Sequence, residues 1–136
     1  MKNMKKVVPH LWFDKEAKEA TAFYATLFKE SKVNSVTTIS GTPSGDCDIV
    51  TFSLSGQNFM AISAGPYFKL NPAISFFVVF DSEIEIETVW NKLIDGGKVL
   101  MEYNTYPWAT KYGWLQDKYG LSWQLSMSEN HKMEQK

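Results

Sequence analysis

A chain of 136 residues, 44% hydrophobic and 15% aromatic, carries enough apolar side chains to bury the core of one domain, which excludes disorder as its overall state. Its formal net charge of −1 sets fourteen cations, every one a lysine, against fifteen carboxylates; with no arginine fork and no basic patch, nucleic acid and phosphate-rich partners are not expected. The single cysteine, Cys47, can form neither an internal disulfide nor a zinc site alone, which fits a reducing, cytoplasmic setting. The apolar run after the basic start is too short for a signal peptide, and no stretch reaches the roughly 20 apolar residues of a membrane span.

The first strand is expected at Val7 to Phe13, rich in β-formers and stopped by Asp14. Asp14 is a plausible N-cap for a helix with Glu16 in its first turn. Ala17, Ala20, Phe23, Tyr24, Leu27 and Phe28 recur on one face of that helix, with Lys15, Lys18 and Glu19 on the other. Strands follow at about 33–40, 48–55 and 58–63, the last two joined by a hairpin at Ser55-Gly56-Gln57. The order is β-α-β-β-β.

Ala64 to Ala73 is a turn-rich connector that nevertheless holds Tyr67 and Phe68. The pattern then begins again with a strand at Ile74 to Phe80. Ser82 followed by Glu85 makes a capping box ahead of Ile86, Val89, Trp90, Leu93 and Ile94, and Gly96-Gly97 ends that helix. Strands are expected at about 98–103, 112–117 and 121–127, with a flexible polar tail over 128–136. Phe13-Asp14 maps onto Phe80-Asp81, and the same offset carries Phe23 onto Trp90 and Leu27 onto Ile94. Duplication accounts for this, the alternative being two unrelated α+β halves. The expected fold class is α+β: one domain of two tandem βαβββ modules, residues 7–63 and 74–127.

Several segments carry a family resemblance. Pro9-His10-Leu11-Trp12-Phe13-Asp14, Ala22-Phe23-Tyr24, Gly65-Pro66-Tyr67-Phe68-Lys69, Ala73-Ile74-Ser75-Phe76, Tyr112-Gly113-Trp114 and Asp117-Lys118-Tyr119-Gly120-Leu121-Ser122-Trp123-Gln124 resemble the PhnB-like branch of the glyoxalase/bleomycin-resistance (vicinal oxygen chelate) superfamily. The resemblance spans residues 7–127. It implies sheets curved around a cavity and a homodimer. The branch is commonly labelled a 3-demethylubiquinone-9 3-methyltransferase. In metal-using relatives the first and last strand of each module supply ligands, and those positions fall on Pro9, Met60, Ser75 or Phe76, and Gln124. None is a histidine or carboxylate, so no metal and no other cofactor is expected. Alternation along the strand, with Pro9 facing the cavity, turns His10 toward the helix side.

The chemistry-bearing residues give no catalytic set. Asp46 and Asp48 flank Cys47, which argues against an activated thiol, and Glu83, Glu85 and Glu87 read as a solvated helix face. Methyl transfer by the common class of enzyme asks for a Gly-rich strand-to-helix turn, and the glycines here form no G-x-G cluster. Tyr103, Tyr106, Trp108, Tyr112 and Trp114 form an aromatic cluster that serves as pocket, interface or core. The expected ligand-binding residues are Met60, Trp108, Tyr112, Trp114 and Gln124, with Asn58 and Ile62 beside Met60 and Ser122 and Ser126 beside Gln124. A small molecule of unknown identity is the expected partner. An enzyme using Gln124, Tyr112 or Lys111, and a structural dimer with a filled cavity, are the alternatives.

Overall fold

The structure is a computed structural model that describes residues 6–128; the terminal tail and His131 lie outside the described residues. The chain divides into two compact units that meet at Leu70 and Asn71, inside the expected connector. Each is a βαβββ module. The first runs β1 (His10–Phe13), α1 (Ala17–Ala25), β2 (Lys32–Thr42), β3 (Gly45–Leu54) and β4 (Gln57–Ser63). The second runs β5 (Ser75–Phe80), α2 (Glu83–Ile94), β6 (Lys98–Tyr106), β7 (Ala109–Gln116) and β8 (Ser122–Met127). The sheets are ordered β1-β4-β3-β2 and β5-β8-β7-β6, and neither closes. Each has one parallel pair, first strand with last, and is otherwise antiparallel.

In the first module, Leu11, Phe13, Val50, Phe52, Phe59 and Ala61 alternate along paired strands and are buried with Ala17, Ala20 and Tyr24 of α1. The β3–β4 turn has Ser55 at φ 49° and Gly56 at φ 81°, the two left-handed residues of a type I′ hairpin, as its Ser-Gly pair predicts. The start of α1 differs from expectation. Its N-cap is Glu16, not Asp14, and Glu16 makes no side-chain cap; instead the first helical N–H, on Ala17, donates to Ser63 Oγ of β4 at 2.9 Å. An orphan helix donor is thus satisfied across the module by a residue far away in sequence, which no local signal reveals.

In the second module the capping residue is as expected: Ser82 Oγ accepts from the Glu85 N–H at 3.3 Å. Phe80, Ile86, Val89, Trp90, Leu93, Leu115, Trp123 and Leu125 make its core. Gly113 lets α2 approach β7, because a Cβ there would lie 2.5 Å from Trp90 Cζ3. The strands β6 and β7 continue past the expected ends, through Asn104–Tyr106 and Ala109–Lys111, which pair with each other and leave Pro107-Trp108 as the turn. The β2–β3 hairpin is likewise longer than read from sequence, reaching Thr42 and Gly45, so Cys47 lies within a strand, buried at 2% exposure.

The β7–β8 turn hangs on one carboxylate. Asp117, buried at 4% exposure, accepts from the N–H groups of Tyr119 and Leu121 through Oδ1 and from the indole Nε1–H of Trp123 at 2.9 Å through Oδ2. Replacing Asp117 by Ala would leave a fully buried indole donor unpaired. We expect D117A to lose roughly 3 kcal/mol in urea unfolding, and D117N to be destabilised as well, because its amide N–H2 must face a donor at either the indole or the turn.

Candidate functional site

Strand pairing decides which side chains share a face. In the second module Trp114 pairs with Gln124, Tyr112 with Ser126 and Gln116 with Ser122, so these six residues occupy the sheet face opposite α2. The parallel pair adds Ser75, Phe77 and Val79 to that face. Ser75 Oγ and Ser122 Oγ lie 2.7 Å apart, and the Trp114 indole donates to Ser122 Oγ at 2.7 Å. Between Ser75 and Phe76, the register therefore selects Ser75; Phe76 turns to the helix side and meets Trp123 edge-on.

Four of the expected ligand-binding residues, Trp108, Tyr112, Trp114 and Gln124, share this face. Tyr112 is buried and its hydroxyl donates to Gln124 Oε1 at 2.7 Å. Trp108, 54% exposed at the hairpin turn, stacks on Tyr106 with centroids 4.9 Å apart and meets Tyr112 edge-on at 5.8 Å. Tyr106 meets Tyr112 at 5.6 Å and spends its own hydroxyl on the Glu102 carbonyl. Burial, and to a smaller degree the Tyr106 phenol, raise the Tyr112 pKa, so this hydroxyl is a neutral donor at physiological pH.

The fifth cluster member parts from the others. Tyr103 tilts against Trp90 on the helix side, donates to Glu87 Oε2 at 3.1 Å and carries Lys111 Nζ over its ring at 5.8 Å. Glu87 is therefore a partner of a phenol rather than part of a solvated face, and Lys111 is removed from the Tyr112–Gln124 group. The reason is register: β6 carries extra residues between Val99 and Met101 and between Met101 and Asn104, and each shift exchanges the faces.

Met60, the remaining expected site residue, lies in the first module, half-buried with Asn58 and Ile62 on the face opposite α1. There the register overturns an expectation. His10 pairs directly with Met60, and Trp12 with Ile62, so His10 faces away from α1 beside Met60. Pro9 precedes the strand and supplies only its carbonyl, accepting from the Met60 N–H at 2.9 Å. Partial burial lowers the His10 pKa. Trp12 donates from its indole to the Gly65 carbonyl at 3.0 Å and meets Phe68 edge-on, tying the connector to this face.

The strand positions facing the two last-strand residues are thus His10 opposite Met60 and Phe77 opposite Gln124. Taken by itself, neither pair, imidazole with thioether or phenyl ring with carboxamide, offers the imidazole-and-carboxylate set that divalent zinc or manganese takes in catalytic sites. Among the described residues no three His, Cys, Asp or Glu side chains form a group able to hold a metal ion, and no helix is long and apolar enough to cross a membrane.

The phenols predict the alkaline behaviour. Tyr103 is raised by burial and then by the hydrogen bond and charge of Glu87, with Glu83 adding to it, and Tyr112 is raised as above. Unfolded phenols ionise near pH 10, about where these two still hold their protons in the fold. The native state then binds more protons, so their contribution is complete below about pH 10 and is lost as pH rises beyond it. Titration of the tyrosinate absorbance should show at least two phenols ionising late, and Tyr103→Phe should flatten the alkaline fall in melting temperature; unchanged curves would contradict the assignment.

Comparison with known proteins agrees with this architecture. The family model for 3-demethylubiquinone-9 3-methyltransferase matches residues 5–126. A PhnB protein of Bacillus cereus, named for the same methyltransferase, is 38% identical over 91% of this chain and 100% of its own, with a TM-score of 0.83. A protein of Pseudomonas aeruginosa, 23% identical over 91% and 98% of the two chains, superposes with a TM-score of 0.77. A genomically encoded fosfomycin resistance protein of Listeria monocytogenes, 13% identical over 94% and 96%, reaches 0.67. The last two are likenesses of fold alone. No curated protein matches. In fold the chain matches the glyoxalase/bleomycin-resistance neighbours, and it belongs to the PhnB-like 3-demethylubiquinone-9 3-methyltransferase family.

Proposed function

We propose that this protein binds a small molecule without the divalent metal of its superfamily, as a homodimer in the cytoplasm. The observation that carries the reading is that in each module the paired first and last strands bring no carboxylate together: His10 lies with Met60 in one, and Ser75 and Phe77 lie with Gln124 in the other. Binding needs only a preformed apolar surface with a few oriented polar groups, and the Tyr106, Trp108, Tyr112 and Gln124 arrangement supplies one. A buried lone thiol at Cys47 suits a reducing compartment.

The methyltransferase in the family's name is not adopted. The two strand-to-helix turns are Asp14-Lys15-Glu16 and Asp81-Ser82; neither contains the glycines that let a backbone approach a cofactor at a helix N-terminus, and both bring carboxylates there.

Native mass spectrometry of freshly purified protein, with elemental analysis of the same sample, tests the reading. The expected result is a dimer without stoichiometric metal, carrying or accepting a small-molecule adduct. One zinc, nickel or manganese ion per chain would overturn the metal-free reading and direct attention to His10.

A further inference from the structure

The second module leaves two hydrogen-bond donors unspent beside one buried phenol. Tyr112 gives its proton to Gln124 Oε1, which occupies the amide's carbonyl and sets the amide so that its two N–H donors point away from the phenol. Gln124 makes no other side-chain hydrogen bond among the described residues. The Trp108 indole N–H is likewise without a hydrogen-bond partner there, although its ring is held by Tyr106 and Tyr112. By contrast, the neighbouring polar groups are committed: Tyr106 to the Glu102 carbonyl, Trp114 to Ser122, and Ser122 to Ser75. The nearest cation by sequence, Lys111, sits over Tyr103 on the other face.

A half-exposed tryptophan packed on one side by two other rings keeps its orientation without a ligand and pays little entropy to receive one. What this corner offers is an aromatic face beside unspent donors, the Gln124 amide N–H groups and the Trp108 indole. From these contacts we infer that Trp108 and Gln124 form a subsite for an uncharged, planar aromatic molecule bearing a carbonyl-type acceptor: the ring lies on Trp108, and the acceptor takes the N–H groups of Gln124 or the indole. The proposal rests on the small-molecule-binding reading and narrows it to a chemical class. A cationic ligand would gain nothing from the donors, and an anion would find no counter-charge to offset its desolvation.

Coumarin, a fused ring with a lactone carbonyl, is the probe, and naphthalene is its control of similar ring area without an acceptor. Titrated into isotopically labelled whole protein, coumarin should shift the Trp108 indole N–H and Gln124 side-chain amide resonances and bind roughly 5-fold tighter than naphthalene, the worth of about one hydrogen bond. Trp108→Ala, a change at an exposed turn, should weaken coumarin roughly 10-fold. Trp108→Phe should recover the stacking part of that loss. Gln124→Glu, which can still accept from Tyr112 but presents no donor at neutral pH, should reduce the preference for coumarin over naphthalene, leaving the part that the Trp108 indole N–H supplies.

Equal affinities for the two probes, or resonance shifts confined to residues away from Trp108 and Gln124, would overturn the subsite. So would full coumarin affinity in the Trp108→Ala protein. If the native spectra show a bound adduct that survives Trp108→Ala, the subsite fails while the binding reading stands. If no adduct is carried and neither probe perturbs any resonance, both fail.

Discussion

Everything that positions the candidate site follows from the pairing of the first and last strand in each module. His10 lies opposite Met60 and Phe77 opposite Gln124, and because side chains alternate, those two registers sort every other residue of both strands. Leu11 and Phe13 go under α1, and Phe76, Val78 and Phe80 under α2. The opposite faces receive His10, Trp12 and Met60 in one module and Ser75, Phe77 and Gln124 in the other. A slip of one residue would bury the amide and expose the core. The registers are held from outside the strands too: Ser63 caps α1 from the end of β4, and Asp117 pins the β7–β8 turn to Trp123.

The same period explains why an aromatic-rich segment divides between two roles. Two register shifts in β6 turn Tyr103 under α2, where Trp90, Glu87 and Lys111 surround it, and return Asn104 and Tyr106 to the Tyr112 side. Trp90 can lie close to β7 only because Gly113 has no side chain. Packing therefore absorbs Tyr103 and Trp90, whereas Trp108, placed on the turn, has neighbours on only part of its surface.

Elements were largely legible in the sequence. Helical spacing located both helices, Ser82 with Glu85 marked the start of α2, and Ser55-Gly56 marked a hairpin, because each signal is local. Strand ends were less so: the ladders run on through Thr42 and Gly45 and through Tyr106 and Ala109, where turn-forming composition hides continued pairing. Facing was the weakest point. Carrying ligand positions over by motif placed Pro9 on the site face where pairing puts His10, and left Ser75 or Phe76 open where pairing puts Ser75 and Phe77 on the face of Gln124. A proline just before a strand and bulges within one change the count by single residues, and single residues decide the face. Gln124, Tyr112 and Trp114 could be placed on one face from the sequence because β7 and β8 pair without a shift between Lys111 and Gln116; Trp108, on the β6–β7 turn, joins them through its ring contacts with Tyr106 and Tyr112.

The chemistry of the second module's open face depends on which polar groups are already satisfied. Tyr112 and Gln124 could each donate or accept in isolation, and their mutual bond fixes the direction: the phenol has given its proton to the amide oxygen, and the two amide N–H donors remain unspent. Ser122 performs the same service for Trp114, receiving the indole proton while it bonds to Ser75. A metal centre would require anionic acceptors gathered together, and among the described residues of this face no His, Cys, Asp or Glu group of that kind occurs.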